Sequence, residues 1–225
     1  MNPTKKFQWR NYRQAWILSY ALLYFPWFFW LEQRTTTFHV ISSPVDDMIP
    51  FCEYFIIPYL LWFVYVCGTI LYFLFARPKK EFYRMTGYLF VGMSICLFIC
   101  TIFPNGLMLR PEFDPGKNIF TKLIAALYTV DTATNVFPSI HVFASVGIHL
   151  AIAESPVSKQ YRWLRPASFL LALSIILSTM FLKQHSIIDV IGGLILSALM
   201  YPIFYRRSED VYSVNHRAKW EFNKN

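Results

Sequence analysis

The sequence predicts an all-α, polytopic membrane protein with six transmembrane helices and both termini in the cytoplasm. Hydrophobic residues make up 56% of the 225 residues and charged residues only 15%, which is too apolar for a soluble globular domain. Six intervals contain no Asp, Glu, Lys or Arg: 14–31, 54–76, 85–109, 132–153, 166–182 and 190–205. Each interval is close to the roughly 20 apolar residues that cross a bilayer as a helix. This pattern excludes a disordered chain, a disulfide-stapled secreted domain and a nucleic-acid-binding module.

The basic residues predict the orientation of these spans. When the loops are assigned to alternating sides, starting inside, 16 of the 21 Lys and Arg residues fall on the cytoplasmic side. The other side holds Arg34, Arg110, Lys117, Lys122 and Lys183. The net charge of +8 is therefore interpreted as anchoring to anionic head groups, with no nucleic-acid partner.

The remaining elements follow in chain order. The first interval lacks a signal-peptide cleavage site and is retained as a span. One membrane domain is expected over residues 1–207, with a motif-bearing core at about 85–205 and a polar cytoplasmic tail over 208–225. The loop before the fourth interval contains an apolar stretch, Ile119–Tyr128, which is too short to span and predicts a helix at the interface.

Polar groups collect where the fourth and sixth intervals begin, both on the predicted outer side. The fourth begins with Pro138, Ser139 and His141, and proline suits the first turn of a helix, whose free N–H groups favour an anion. Near the start of the sixth, His185 and Asp189 are four residues apart, so a helix would place them on one face. The carboxylate would then orient the imidazole, which leaves the second ring nitrogen as a base or nucleophile.

Two cations are predicted at the same place, and they indicate a phosphate site. Arg110 and Lys183 lie on the same predicted face as Ser139 and the two histidines. Two histidines beside a phosphoryl group have separable roles, because one can attack phosphorus while the other protonates the leaving oxygen.

These residues resemble the type-2 phosphatidic acid phosphatase superfamily. The family pattern is Lys, six residues, Arg-Pro; then Pro-Ser-Gly-His; then Ser-Arg, five residues, His, three residues, Asp. The matching positions, in order and spacing, are Arg110-Pro111, Pro138-Ser139-Ile140-His141, and Ser178-Thr179 with His185 and Asp189. The resemblance covers about residues 85 to 205.

The resemblance implies a role for each matching residue. His185 would be the nucleophile that forms a phosphohistidine, Asp189 would orient it, and His141 would be the general acid and then the base. Arg110 and Ser139 would hold phosphoryl oxygens, with Ile140 at the glycine position of the same phosphate-binding turn.

Three positions depart from the family pattern. Phe103 replaces the first-motif Lys, Ile140 replaces Gly, and Thr179 replaces the third-motif Arg. Two expected phosphate-binding cations are therefore missing, and Lys183 is the candidate for a partial replacement, although it cannot form a bidentate fork.

Two enzymatic interpretations remain open. A lipid phosphatase acting on a phosphomonoester or pyrophosphate lipid, without a cofactor, is expected. A bulky residue within Pro-Ser-x-His and the Gly192-Gly193 pair are also similar to the inositol phosphorylceramide synthase branch, which transfers the phosphoryl-bearing group to a lipid hydroxyl. In either case the active site is expected on the non-cytoplasmic face, and the plasma membrane is the expected location.

Two further alternatives belong to other classes. His141, His185 and Asp189 have the donor atoms of a zinc site, but the nearby Arg and Lys favour an anion, so no metal is expected. A transporter or scaffold without catalytic activity is the other alternative, and a transporter would be expected to show internal repeats and polar groups at mid-membrane.

Overall fold

A computed structural model describes residues 9–206 of the chain, with side chains from 12 to 205. The chain is mostly helical, at 74%. A 3-10 helix, Trp9–Tyr20, leads into the α-helices, which are α1 Ala21–Gln33, α2 Pro44–Met48, α3 Ile56–Ala76, α4 Lys79–Ile102, α5 Ile119–Val130, α6 Ile140–Glu154, α7 Pro156–Gln160, α8 Leu164–Phe181 and α9 Ile187–Tyr201. A π-helical turn, Pro202–Arg206, follows α9. The predicted tail, 208–225, lies outside the described residues.

Within residues 9–206, four helical segments are long and apolar enough to cross a membrane: Glu53–Ala76, Lys79–Ile102, Leu164–Phe181 and Ile187–Tyr205. Together with the helical content, they indicate an integral membrane protein of the predicted helical class. Two shorter apolar helices, α5 and α6, accompany them. The count of six spans and the cytoplasmic placement of the termini stay predictions.

The helix ends differ from the charge-free intervals. The third interval was drawn as 85–109, but α4 begins earlier, at Lys79, and ends at Ile102. The fourth was drawn as 132–153, but residues 132–139 are not helical and α6 begins at Ile140. The difference arises because a run without charges marks apolarity, whereas prolines and capping side chains decide where a helix starts and stops.

Three of the segments that connect helices are paired with one another. Strands β1, His39–Val40, and β2, Asn105–Gly106, pair in parallel, and Gly106 also bridges to Thr134. The apolar stretch Ile119–Tyr128 is helical, as α5, which Asn118 caps by accepting a hydrogen bond from the backbone of Thr121, and its location at the membrane interface stays a prediction. These backbone contacts therefore join the segments that follow α1, α4 and α5.

The centre of the bundle is packed around α4 and α6. The Tyr88 and Phe143 rings stack with centroids 4.9 Å apart, and both side chains are fully buried. A Cβ atom at Gly92 would lie only 1.9 Å from the Phe143 ring, so glycine is required for this approach. Small residues allow close helix contact in membranes in the same way, and the contact fixes α6 relative to the other helices.

Candidate active site

His141 lies in the first turn of α6. The helix begins at Ile140 because Ser139 is its N-cap, and the Ser139 hydroxyl accepts a hydrogen bond from the Val142 N–H at 3.3 Å. Pro138 therefore precedes the N-cap. The sequence analysis predicts it in the first turn of the helix, and the structure does not place it there. Ser139 is fully buried, and its side chain serves the helix start.

His185 stands immediately before α9, and not on the helix. The helix begins at Ile187 with Ser186 as its N-cap. Asp189 completes a capping box, because its Oδ2 accepts the Ser186 backbone N–H at 2.8 Å. His185 Nδ1 is 3.5 Å from Asp189 Oδ2 and makes no hydrogen bond. The two side chains are therefore adjacent, but no hydrogen bond joins Nδ1 to the carboxylate.

The two histidines meet although they are 44 positions apart in the sequence. His141 Nδ1 lies 3.3 Å from His185 Nε2, and the ring centroids are 5.5 Å apart. The starts of α6 and α9 are also joined directly, since the Ser139 N–H donates to the Asp189 carbonyl at 3.2 Å. A Cβ atom at Gly193 would lie 2.9 Å from the Ser139 carbonyl oxygen. The Gly192-Gly193 pair therefore includes a position where close helix packing requires glycine.

Asp46, which the sequence analysis did not select, stabilises the start of α9. Its carboxylate is buried and accepts hydrogen bonds from the Ser186 hydroxyl at 2.6 Å, the Ile187 N–H at 2.8 Å and the Ser43 N–H at 2.8 Å. A carboxylate is favoured there because helix N-termini carry partial positive charge and unpaired N–H groups.

Lys183 points toward the turn that carries Asp46. Its ammonium group donates to the carbonyl of Asp46 at 2.6 Å and to that of Ile49 at 2.5 Å, and the side chain is buried. Its backbone has a φ of 53°, a left-handed conformation that costs a non-glycine residue energy. The geometry does not support the predicted phosphate-binding role, because the ammonium group is held by backbone carbonyls and Lys183 does not line the cavity beside the histidines.

Arg110 contacts Gln184, the residue that precedes His185 in the chain. Its guanidinium donates to the Tyr128 carbonyl at 3.2 Å, the Asp131 carbonyl at 2.5 Å and the Gln184 side chain, and lies over the Tyr128 ring. Burial lowers the pKa of Arg110, and electrostatic interactions with Tyr128 and Asp131 oppose this shift. A guanidinium group stays charged at neutral pH in any protein environment. Its Nε is buried without a partner among the described residues.

A cavity of about 220 Å³ opens beside the two histidines. Most of its wall is apolar, and the aromatic part comes from α1 and α3: Tyr24, Phe25, Phe28, Phe29, Trp62 and Phe63. Ile140, at the family's glycine position, also lines it. The polar wall includes Glu32, Asp131 and Gln184, and none of the lining residues is Lys or Arg.

Two acids of this wall have defined partners. Asp131 accepts a hydrogen bond from the buried Tyr59 hydroxyl and lies 3.4 Å from Gln184 Nε2. Glu32 accepts from the backbone and hydroxyl of Thr132 and from the Asn135 side chain. The sequence analysis did not select Glu32 or Gln184, since a polar residue at a span end gives no signal of which way it points.

Two of the three motif departures, Phe103 and Thr179, lie outside this wall. Phe103 stacks on His39 with centroids 4.8 Å apart, and the Thr179 carbonyl accepts the N–H groups of Gln184 and His185 at 2.9 and 3.0 Å.

Within the described part of the chain, no three His, Cys, Asp or Glu side chains are arranged to hold a metal ion.

Comparison with known proteins gives one match. The family model of the PAP2 superfamily matches residues 85–212, more than half of the chain and the segment that contains all three motifs. Searches of curated proteins and of solved structures found no significant match. Membership indicates phosphatase or phosphotransferase activity on a phosphorylated substrate. With the paired histidines at the starts of α6 and α9 and the matched segment around them, this membrane protein belongs to the PAP2 superfamily.

Proposed function

We propose that the chain is a membrane phosphatase that hydrolyses a phosphomonoester or pyrophosphate lipid through a phosphohistidine at His185. The observation that carries the proposal is the 3.3 Å approach of His141 Nδ1 to His185 Nε2 beside an apolar cavity. An apolar wall of aromatic rings accommodates a hydrocarbon chain and leaves the phosphorylated end at the histidines.

The reaction proceeds in two steps. His185 Nε2 attacks phosphorus, the bond from phosphorus to the lipid oxygen breaks, and that oxygen takes its electron pair and a proton from His141. His141 then removes a proton from water, which attacks phosphorus and breaks the bond to His185. Phosphate leaves and the imidazole is restored. The substrate enters between the two ring nitrogens, which separate as it binds.

Other groups orient and stabilise this reaction. Asp189, 3.5 Å from His185 Nδ1, stabilises the positive charge that develops on the imidazole. The first backbone N–H groups of α6, which begins at Ile140, lie at the N-terminal end of the helix, and that end favours an anion such as the phosphoryl group. Arg110 reaches the phosphoryl group once Gln184 moves aside, because Gln184 separates the guanidinium from the cavity.

Transfer to a lipid hydroxyl is the second candidate. The apolar lining supports it, since a cavity of this kind admits a second lipid more readily than water. The two candidates share the first step and differ only in the acceptor.

We propose that the site faces the non-cytoplasmic side of the plasma membrane, because the charge pattern predicts the starts of the fourth and sixth intervals on that side.

The test follows phosphorus. The purified protein in mixed micelles is given labelled phosphatidic acid, isoprenyl pyrophosphate, or an inositol phospholipid with ceramide, and rapid quenching at alkaline pH traps a phosphohistidine. We expect free labelled phosphate, and we expect His185→Ala to remove both the trapped label and turnover. Label in a new lipid would establish the transferase. A His185→Ala protein with undiminished activity would refute the mechanism.

A further inference from the structure

Trp62 on α3 touches the predicted general acid. Its ring lies 4.5 Å from the His141 ring, centroid to centroid, at an angle of 53°. Tyr59, one helical turn earlier, packs on the same imidazole at 4.8 Å. Both residues lie outside the segment that the family model matches, 85–212. The family motifs therefore assign them no role.

The polar atoms of these two rings differ in one respect. The Tyr59 hydroxyl donates to Asp131, whereas the Trp62 Nε1 is buried and has no partner among the described residues. Trp27 shows the usual situation in this protein, because its Nε1 donates to the Thr101 hydroxyl at 3.0 Å. Folded proteins pair nearly all buried donors, so an unpaired donor on a residue that lines a cavity requires an explanation, and a bound ligand would supply its partner.

The surroundings define the chemistry of that ligand atom. The cavity wall contains no Lys or Arg, and the two motif cations are replaced by Phe103 and Thr179. An indole N–H can donate but cannot accept, so its partner is an acceptor. In a site of low dielectric, a neutral N–H aimed at an anionic oxygen gives a strong hydrogen bond without the desolvation cost of a buried cation.

We propose that Trp62 is a substrate-binding residue whose N–H donates to a non-bridging oxygen of the phosphoryl group held between His141 and His185. The inference rests on the proposed function, since it takes the phosphoryl group to be the occupant of the site. It adds a phosphate contact from α3 that partly replaces the missing cations.

The experiment removes the N–H while the ring is retained. In the full-length protein, Trp62 is replaced by β-(3-benzothienyl)alanine, whose sulfur occupies the position of the N–H, and separately by Phe. Orthovanadate serves as the phosphate mimic. The readouts are kcat/KM on the preferred lipid, the vanadate concentration that inhibits by half, and the vanadate concentration that raises Tm. Trp163→Phe is the control, because Trp163 is exposed and is absent from the cavity wall.

We expect the sulfur isostere to lower kcat/KM and to weaken vanadate binding, each by about 10- to 100-fold, the effect of one hydrogen bond to a charged group. Its Tm without vanadate should equal that of the wild type, and Trp163→Phe should retain full activity. Vanadate binding within about twofold of wild type in the isostere would overturn the inference. A Trp62→Phe protein whose Tm falls while its kcat/KM and vanadate binding are unchanged would overturn it as well. A negative result at Trp62 leaves the proposed function standing as long as His185→Ala is inactive. Activity in His185→Ala would instead refute the function itself.

Discussion

The segment that carries the motifs and the segment that precedes it contribute differently to the site. Residues from 85 onward provide His141, His185 and Asp189, which hold the reacting atoms and their immediate charge partner. The segment before residue 85 provides Asp46, at the start of α9, and Trp62, against the His141 ring.

The difference shows that the chemistry and its orientation come from separate parts of the chain. The motif segment places two imidazoles at two helix starts, and the N-terminal third contributes the Asp46 carboxylate to the start of α9 and the Trp62 ring beside His141. Substitutions in the motif segment should therefore abolish chemical steps in a folded protein. Substitutions in the N-terminal third should change stability at Asp46 and substrate binding at Trp62.

His141→Ala should give the largest effect among the tests of this comparison. Removal of a general acid typically lowers kcat by about 10²- to 10⁴-fold, and the loss should shrink with a leaving group that needs no protonation. Turnover of a lipid substrate is compared with that of an aryl phosphate, with Tm measured in parallel. An equal loss of kcat/KM on both substrates would show that His141 does not protonate the leaving oxygen, because kcat/KM covers only the steps up to departure of the leaving group.

Asp46→Asn should give an intermediate effect, expressed mainly in stability. The amide nitrogen would face donors that now bond to a carboxylate, so we expect a loss of about 2 kcal/mol and a fall in Tm of about 4–8 °C. The exposed neighbour Asp47 provides the matched control, Asp47→Asn, with unchanged Tm. An unchanged Tm in Asp46→Asn would show that the N-terminal segment does not stabilise the start of α9.

Lys183→Met should give the smallest effect and should distinguish two roles for the ammonium group. It leaves the Asp46 and Ile49 carbonyls without their donor, so Tm should fall by about 2–4 °C for each kcal/mol lost. KM and vanadate inhibition should stay within about twofold of wild type. Lys122→Met, on the exposed face of α5, is the control. A large rise in KM with an unchanged Tm would return Lys183 to the phosphate site.

Part of the site was predictable from local sequence. The order and spacing of Pro138, Ser139, His141, His185 and Asp189 predicted the family, and the family match confirms it. Charge-free intervals predicted a helical membrane protein, which the apolar helices support. The exact helix ends were not predictable in this way, because Ser139 and Ser186 set them through hydrogen bonds to the backbone.

Other features had no adequate sequence signal. Trp62 belongs to an aromatic-rich interval, and any aromatic residue in it could face lipid. Only the packing shows which of these rings contacts His141. Lys183 looked like a phosphate ligand because it is a cation two residues before His185. In the structure its ammonium group instead donates to the Asp46 and Ile49 carbonyls, and a contact between such distant residues cannot be read from spacing.

The sequence by itself determined the class of the protein, its family and the residue types of its chemistry, because apolarity and motif spacing are local properties of the chain. Only the tertiary structure decided which groups surround the reacting atoms. The 3.3 Å histidine contact, the carboxylate of Asp46 at α9 and the rings of α3 on His141 all join residues distant in the sequence. Such contacts depend on how close the helices approach, which is fixed by packing at positions such as Gly92 and Gly193.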